Sequence, residues 1–283
     1  MIKEFLKKKF PFLIKYNRSF SEGTDVYNLM LHESYLARRV QHKNSFVMYG
    51  AKVFSQADED GLTLEIIKRL GIGKGVFAEL GVGTGVENNT LILLASGWKG
   101  FWIGVEKLAF DTKTSNRLYF LKEWVTKDNV SNIFSKGLKK VSAEDVDVLS
   151  IDFDGNDLIF CEKLLSENAC NPKLLIVEYN SKFPPPIEFS VRYDDSHEWE
   201  RDDYQSSSIQ SYVTMLEKYG YKLICCNAAT GVNAFFVKDG YLELFPEVPK
   251  AISDIYTDPF HLLHSHITWP TSVKTIERII EDL

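Results

Sequence analysis

Four oxygen-bearing side chains stand at or just past the ends of two apolar runs. Val146-Asp-Val-Leu-Ser-Ile151 ends in Asp152, with Asp154 two residues on, and Leu174-Leu-Ile-Val177 ends in Glu178, with Asn180 two residues on. Hard oxygen donors of this kind suit Mg²⁺, Mn²⁺ or Ca²⁺. An ion held by Asp152, Glu178 and Asn180, with Asp154 beside them, could lower the pKa of a hydroxyl and orient it for attack. The metal-free route needs a general base. His197, in Tyr193-Asp-Asp-Ser-His-Glu-Trp199, is the candidate, with Asp194, Asp195 or Glu198 to raise its basicity, and Asp152 is the second candidate catalytic group. The plainer alternatives stay open at this point: Asp152 and Asp154 as helix caps, and His197 as an ordinary surface residue.

A second constellation is Glu79-Leu-Gly81-Val-Gly83-Thr-Gly85, directly after the apolar run Val76-Phe-Ala-Glu-Leu80 and before a helical stretch from Asn89 to Ser96. Glycines in such a turn allow positive φ and close approach of backbone to a ligand. The helix beyond would offer its first amides to a carboxylate. One strand later Phe101-Trp-Ile-Gly-Val105 ends at Glu106, an acid placed to accept the hydroxyls of a ribose. Ser142 and Ala143 are the expected edge for an adenine.

These residues need elements to hold them. Apolar runs alternating with helical stretches read as a parallel sheet covered on both faces. The pattern predicts a helix over 58–70, strands at 76–80 and 101–105, a helix around 114–127, a short strand near 132–134, and strands at 146–151 and 174–177. A helix carrying Leu158, Ile159, Cys161 and Leu164 lies between the last two. A long loop from Ser181 to Ser206 follows, then a helix over 209–219 and strands at 221–226 and 234–238. The turn Asn227-Ala-Ala-Thr-Gly231 makes the last two an antiparallel hairpin. The expected fold is α/β: a doubly wound, mostly parallel, seven-stranded sheet with a terminal antiparallel hairpin. With this hairpin, Glu79 and the Gly-X-Gly-X-Gly spacing, the loop points to S-adenosylmethionine rather than NAD, with Glu79, Gly81, Gly83, Gly85, Asn89, Glu106, Ser142 and Ala143 as its binding residues.

The chain has 283 residues, enough for one sizeable core, and divides by pattern into a basic helical extension (1–52), the sheet domain (53–240) and a tail with a packing helix (241–283). In that helix Ile276, Ile279, Ile280 and Leu283 form one apolar stripe. His261, His264 and His266 read as tail packing. A net charge of −6 argues against a nucleic-acid partner. Residues 1–18 nevertheless hold Lys3, Lys7, Lys8, Lys9, Lys15 and Arg18 among Phe5, Leu6, Phe10, Phe12, Leu13 and Ile14, a pattern that fits either a docked helix or peripheral membrane contact. The four cysteines lack metal or disulfide spacing, and no spanning segment is present, so a cytoplasmic location is expected.

Several segments taken together resemble the FkbM-type methyltransferases and a related branch: Phe54-Ser-Gln-Ala-Asp-Glu-Asp-Gly61, Phe77 to Gly85, Asn89-Thr90 with Gly97-Trp98 and Trp102-Ile103, Leu149 to Asp157, Val177-Glu-Tyr-Asn180 and Asn233-Ala-Phe-Phe-Val237. They cover residues 54–238 in order. The resemblance implies a Rossmann-like class I fold and O-methylation dependent on S-adenosylmethionine, with a sugar, glycan or related small metabolite as acceptor. Where that family has Asp-X-Glu-Gly-X-Glu, this chain has Asp152-Phe-Asp-Gly-Asn-Asp157. A methyltransferase-like binding or scaffold protein is the non-catalytic alternative.

Overall fold

The computed structural model describes residues 29–30, 32–113, 115–259 and 270–281. The basic segment 1–18 and His261, His264 and His266 lie outside the described residues. The chain forms two compact units, Met1–Gln41 and His42–Leu283. Described residues of the first are helical as far as Gln41, with the Arg39 guanidinium 5.1 Å from the centre of the Tyr35 ring.

The second unit is built on seven strands: β1 (Val76–Leu80), β2 (Lys99–Gly104), β3 (Leu118–Lys122), β4 (Val148–Ile151), β5 (Leu174–Glu178), β6 (Tyr221–Cys226) and β7 (Asn233–Lys238). Their order is β3-β2-β1-β4-β5-β7-β6. The first five pair in parallel, and β7 runs antiparallel between β5 and β6. The expected α/β architecture is therefore the observed one. β1 and β4 are neighbours from which the chain departs in opposite directions, which opens a crevice beyond their carboxyl ends. The helices are α1 (Glu59–Arg69), α2 (Leu91–Ala95), α3 (Val130–Lys140), α4 (Asp157–Ser166), α5 (Ile209–Glu217), α6 (Ile252–Ile255) and α7 (Val273–Glu281). Strands with near-continuous burial form two apolar layers, one holding Phe101, Phe134 and Phe160, the other Phe77, Trp98 and Trp102.

The third strand and its helix correct the sequence pattern. Residues 118–122 are β3, not helix, and residues 130–140 are α3, not a strand near 132–134. Val130, Ile133, Phe134, Gly137 and Leu138 are the buried positions of α3, a helical stripe at i, i+3, i+4, i+7 and i+8. Gly137 lets the helix lie on β2, because a Cβ there would stand 2.3 Å from the Phe101 ring.

The last helix is a second correction. Ile276, Ile279 and Ile280 of α7 are exposed rather than packed. Its polar side docks instead: Thr275 Oγ1 donates to Asp203 Oδ1 (2.7 Å), Ser272 N to the same oxygen (2.8 Å), and Arg278 Nε to Ser190 O (2.9 Å). Among the described residues no helix is long and apolar enough to cross a membrane.

Candidate functional site

Gly81 opens the loop after β1 with φ of +88°, and a Cβ there would fall 1.5 Å from the carbonyl oxygen of Asp152. Only glycine lets the ends of β1 and β4 approach this closely. Gly85, at φ +85°, packs on Leu108 and Trp102. Gly83 is different. A Cβ there would meet only the Glu106 carboxylate, its Oε1 at 3.9 Å, and both residues line the cavity space at this edge.

Glu79 holds the loop together. It is buried, its Oε1 accepts from Asn89 N (2.9 Å), and its Oε2 accepts from Thr90 N (3.0 Å) and Thr90 Oγ1 (2.5 Å). Trp102 Nε1 donates to the same hydroxyl (2.8 Å), and Asn89 Nδ2 to Ser150 Oγ (3.2 Å). Burial raises the Glu79 pKa against these bonds. The amides expected to meet a ligand carboxylate are thus engaged by Glu79, and α2 has only five residues. Glu79 and Asn89 still line the cavity here, together with the loop Thr84–Asn88.

Asp152, Asp154 and Glu178 converge at the carboxyl edge, their ligand oxygens within 4.8 Å of one another. Burial first, and then the neighbouring carboxylates, hold the Asp152 and Glu178 pKa values well above the usual range. Burial also raises Asp154, offset by the nearby His197. Glu178 Oε2 is shielded from solvent and accepts no hydrogen bond. Asp154 adopts φ of +57°, in a turn tied by Asp157, which accepts from Phe153 N (2.5 Å) and Gly155 N (2.8 Å). Burial pushes Asp157 up to about 6. The residue that caps this turn is therefore Asp157, rather than Asp152 or Asp154.

Asn180 is not in the group. Its Nδ2 donates to Asp203 O (2.9 Å) and Gln205 O (3.0 Å), and its Oδ1 accepts from Lys182 N (3.2 Å), so the whole amide is engaged within the long loop.

That loop folds back over the edge. Asn156 Nδ2 donates to Asp194 O (2.8 Å), Trp124 Nε1 to Asp195 O (2.8 Å), and Lys127 N to Tyr193 Oη (2.6 Å). His197 Nε2 lies 3.2 Å from Asp154 O, and its ring covers Gly155, where a Cβ would be 2.1 Å from Cδ2. His197 is therefore brought to the carboxylates from a position far along the chain. Two adjoining cavities result. One, of about 310 Å³, runs between Glu106, Trp124, Val125 and His197. The other, of about 340 Å³, runs from Gln56 and Asn89 to Glu178 and Asn233.

Ser142 and Ala143 lie elsewhere. They follow α3 and precede β4, and Ser142 O accepts from Nζ of Lys99, the first residue of β2 (3.3 Å). That is the amino edge of the sheet, a full strand away from Glu106. Exchanging β3 with α3 in the sequence pattern moved the adenine edge there. The residues following β3, Trp124 and Val125, line the cavity instead. A correctly placed β3 is the signal that would have found them.

No family model matches this chain, and no curated protein matches it. Among solved structures it is similar to the N-terminal domain of EvdMO1 with SAH bound (10% identity, 65% of this chain and 82% of that one, TM-score 0.41). It is also similar to Burkholderia thailandensis 1,6-didemethyltoxoflavin-N1-methyltransferase with bound 1,6-didemethyltoxoflavin and S-adenosylhomocysteine (10%, 62% and 74%, 0.39). A third is the [4+2]-cyclase SpnF (14%, 64% and 68%, 0.36). At these values the likeness concerns chain fold alone, and such a fold hosts more than one chemistry.

Proposed function

We propose that this protein is an S-adenosylmethionine-dependent methyltransferase acting on a hydroxyl of a sugar, glycan or related small metabolite. The observation that carries this reading is the pair of adjoining cavities along the carboxyl edge, both lined by Gly83, Glu106, Asp152 and Asp154, with Glu178 in the wall of the second. Glu106 accepts the ribose hydroxyls, Trp124 and Val125 flank the base, and the loop 83–89 faces the amino-acid end. The FkbM-type resemblance over residues 54–238 agrees with this assignment.

Transfer moves a methyl group from the sulfonium sulfur to the acceptor oxygen, and the hydroxyl proton must leave. Asp152 and Glu178, with pKa values raised by burial and mutual repulsion, are suited to take it. His197, against Asp154, is the other base at hand. The three carboxylates also fit a divalent ion: their donors are hard oxygens, and Glu178 Oε2 has no other partner. Asp152, Asp154 and Glu178 would hold Mg²⁺ or Mn²⁺, which supplies positive charge that lowers the pKa of a nearby hydroxyl.

The test is calorimetric binding of S-adenosylmethionine, followed by transfer of labelled methyl to a panel of nucleotide sugars and glycans with Mg²⁺ or with EDTA. Binding with label incorporation supports an enzyme. Absence of binding favours the non-catalytic alternative, and transfer undiminished in EDTA removes the ion.

A further inference from the structure

The two cavities share six lining residues: Gly81, Gly83, Glu106, Asp152, Asp154 and Trp199. Any ligand long enough to occupy both passes through this waist. S-adenosylmethionine has an adenosine half and an amino-acid half, and the atom joining them is the charged sulfur. A cofactor with its ribose at Glu106 and its amino acid along 83–89 therefore places its positive charge at the waist.

The shared residues differ in what they offer a cation. The two glycines contribute backbone alone. Glu106 is committed to the ribose, and Asp152 and Asp154 to the acceptor end. Trp199 remains, reaching the waist from the folded-back loop. Its indole N–H donates to Asp202 O (2.8 Å) within its own turn, which fixes the ring at its hydrogen-bonding edge, and the residue lines both cavities. A desolvated indole attracts a cation through its π-system more strongly than it attracts a neutral thioether of the same shape.

We infer that Trp199 is a specificity-determining residue that recognises the sulfonium charge, so that the protein binds S-adenosylmethionine more tightly than neutral S-adenosylhomocysteine. This rests on the cofactor assignment above. It goes further by making product release a consequence of lost charge at one side chain.

The experiment measures affinity of the wild type, Trp199→Phe and Trp199→Leu by calorimetry for three probes: S-adenosylmethionine, S-adenosylhomocysteine and sinefungin, which carries a protonated amine in place of the sulfonium. The wild type is expected to prefer both cationic probes over the neutral one. Trp199→Leu should reduce that preference about 3- to 10-fold, with Trp199→Phe between the two. Affinity for S-adenosylhomocysteine should change less than that for either cation, which also shows that the site is intact. Equal weakening for all three probes, or equal wild-type affinity for all three, overturns the role of Trp199 while the cofactor assignment stands. No binding of any probe to the wild type removes both.

Discussion

Two acidic clusters of this chain are alike in composition and unlike in use. Asp58, Glu59 and Asp60 surround the start of α1, and almost every oxygen there accepts a hydrogen bond. Asp58 takes Asn227 Nδ2 and the amides of Ala228 and Ala229. Glu59 takes Asn227 Nδ2, Asn233 Nδ2 and Ala57 N, and Asp60 Oδ2 takes the amides of Val53, Phe54 and Ser55 together with the Ser55 hydroxyl. Asp60 Oδ1 is the exception. At the sheet edge the side chains of Asp152, Asp154 and Glu178 meet chiefly one another. An acid surrounded by N–H groups organises the fold, whereas acids that face each other keep their oxygens for a ligand.

The largest expected difference is in Asp152→Asn. Methyl transfer should fall about 100-fold or more, through loss of the base or ligand, while stability holds or rises by about 1 kcal/mol as like charges separate. A stable variant with full activity would place Asp152 with the structural acids.

Asp157 stands between the two classes, bonded to backbone yet inside the site. Its folded pKa of about 6 lies above the ordinary carboxylate value, so its contribution is fully present below about pH 4 and is lost as pH rises through 6. Over that interval this group should cost roughly 3 kcal/mol, an order-of-magnitude figure from about 2 units of pKa. Urea unfolding of the ligand-free protein at a series of pH values, beside Asp157→Asn, checks this. The slope should flatten in the variant, and an unaltered slope would assign it to other groups.

Glu59→Gln sharpens the comparison from the other side. The same acid-to-amide change sets an NH₂ against donors already in place, so stability should fall by about 1–3 kcal/mol in urea. A neutral result would mean that Glu59 is no more structural than Asp152.

Much of this was legible in the chain. Asp152 and Glu178 end apolar runs, and parallel strands bring such ends together. The glycine loop followed a strand, and the terminal hairpin had its turn. Other features depend on distant partners. Glu79 reads from the sequence only as an acid beside the ligand loop, and the amides ten residues on that it braces are seen only in the fold. The aromatic run Leu118–Leu121 carries both helix-like and strand-like spacing, and only its pairing with β2 decides. The α7 stripe reads as a packing face, yet the bonds from Ser272, Thr275 and Arg278 turn the opposite side inward.

The most direct test of the cofactor assignment is Glu106→Ala. Glu106 is an exposed side chain that lines both cavities with Gly83, so its loss should leave the melting temperature unchanged. If its carboxylate accepts the ribose hydroxyls, calorimetry should show S-adenosylmethionine affinity falling about 10-fold or more, as expected for charge-assisted hydrogen bonds. Unchanged affinity in this variant, or no binding by the wild type, would contradict the assignment.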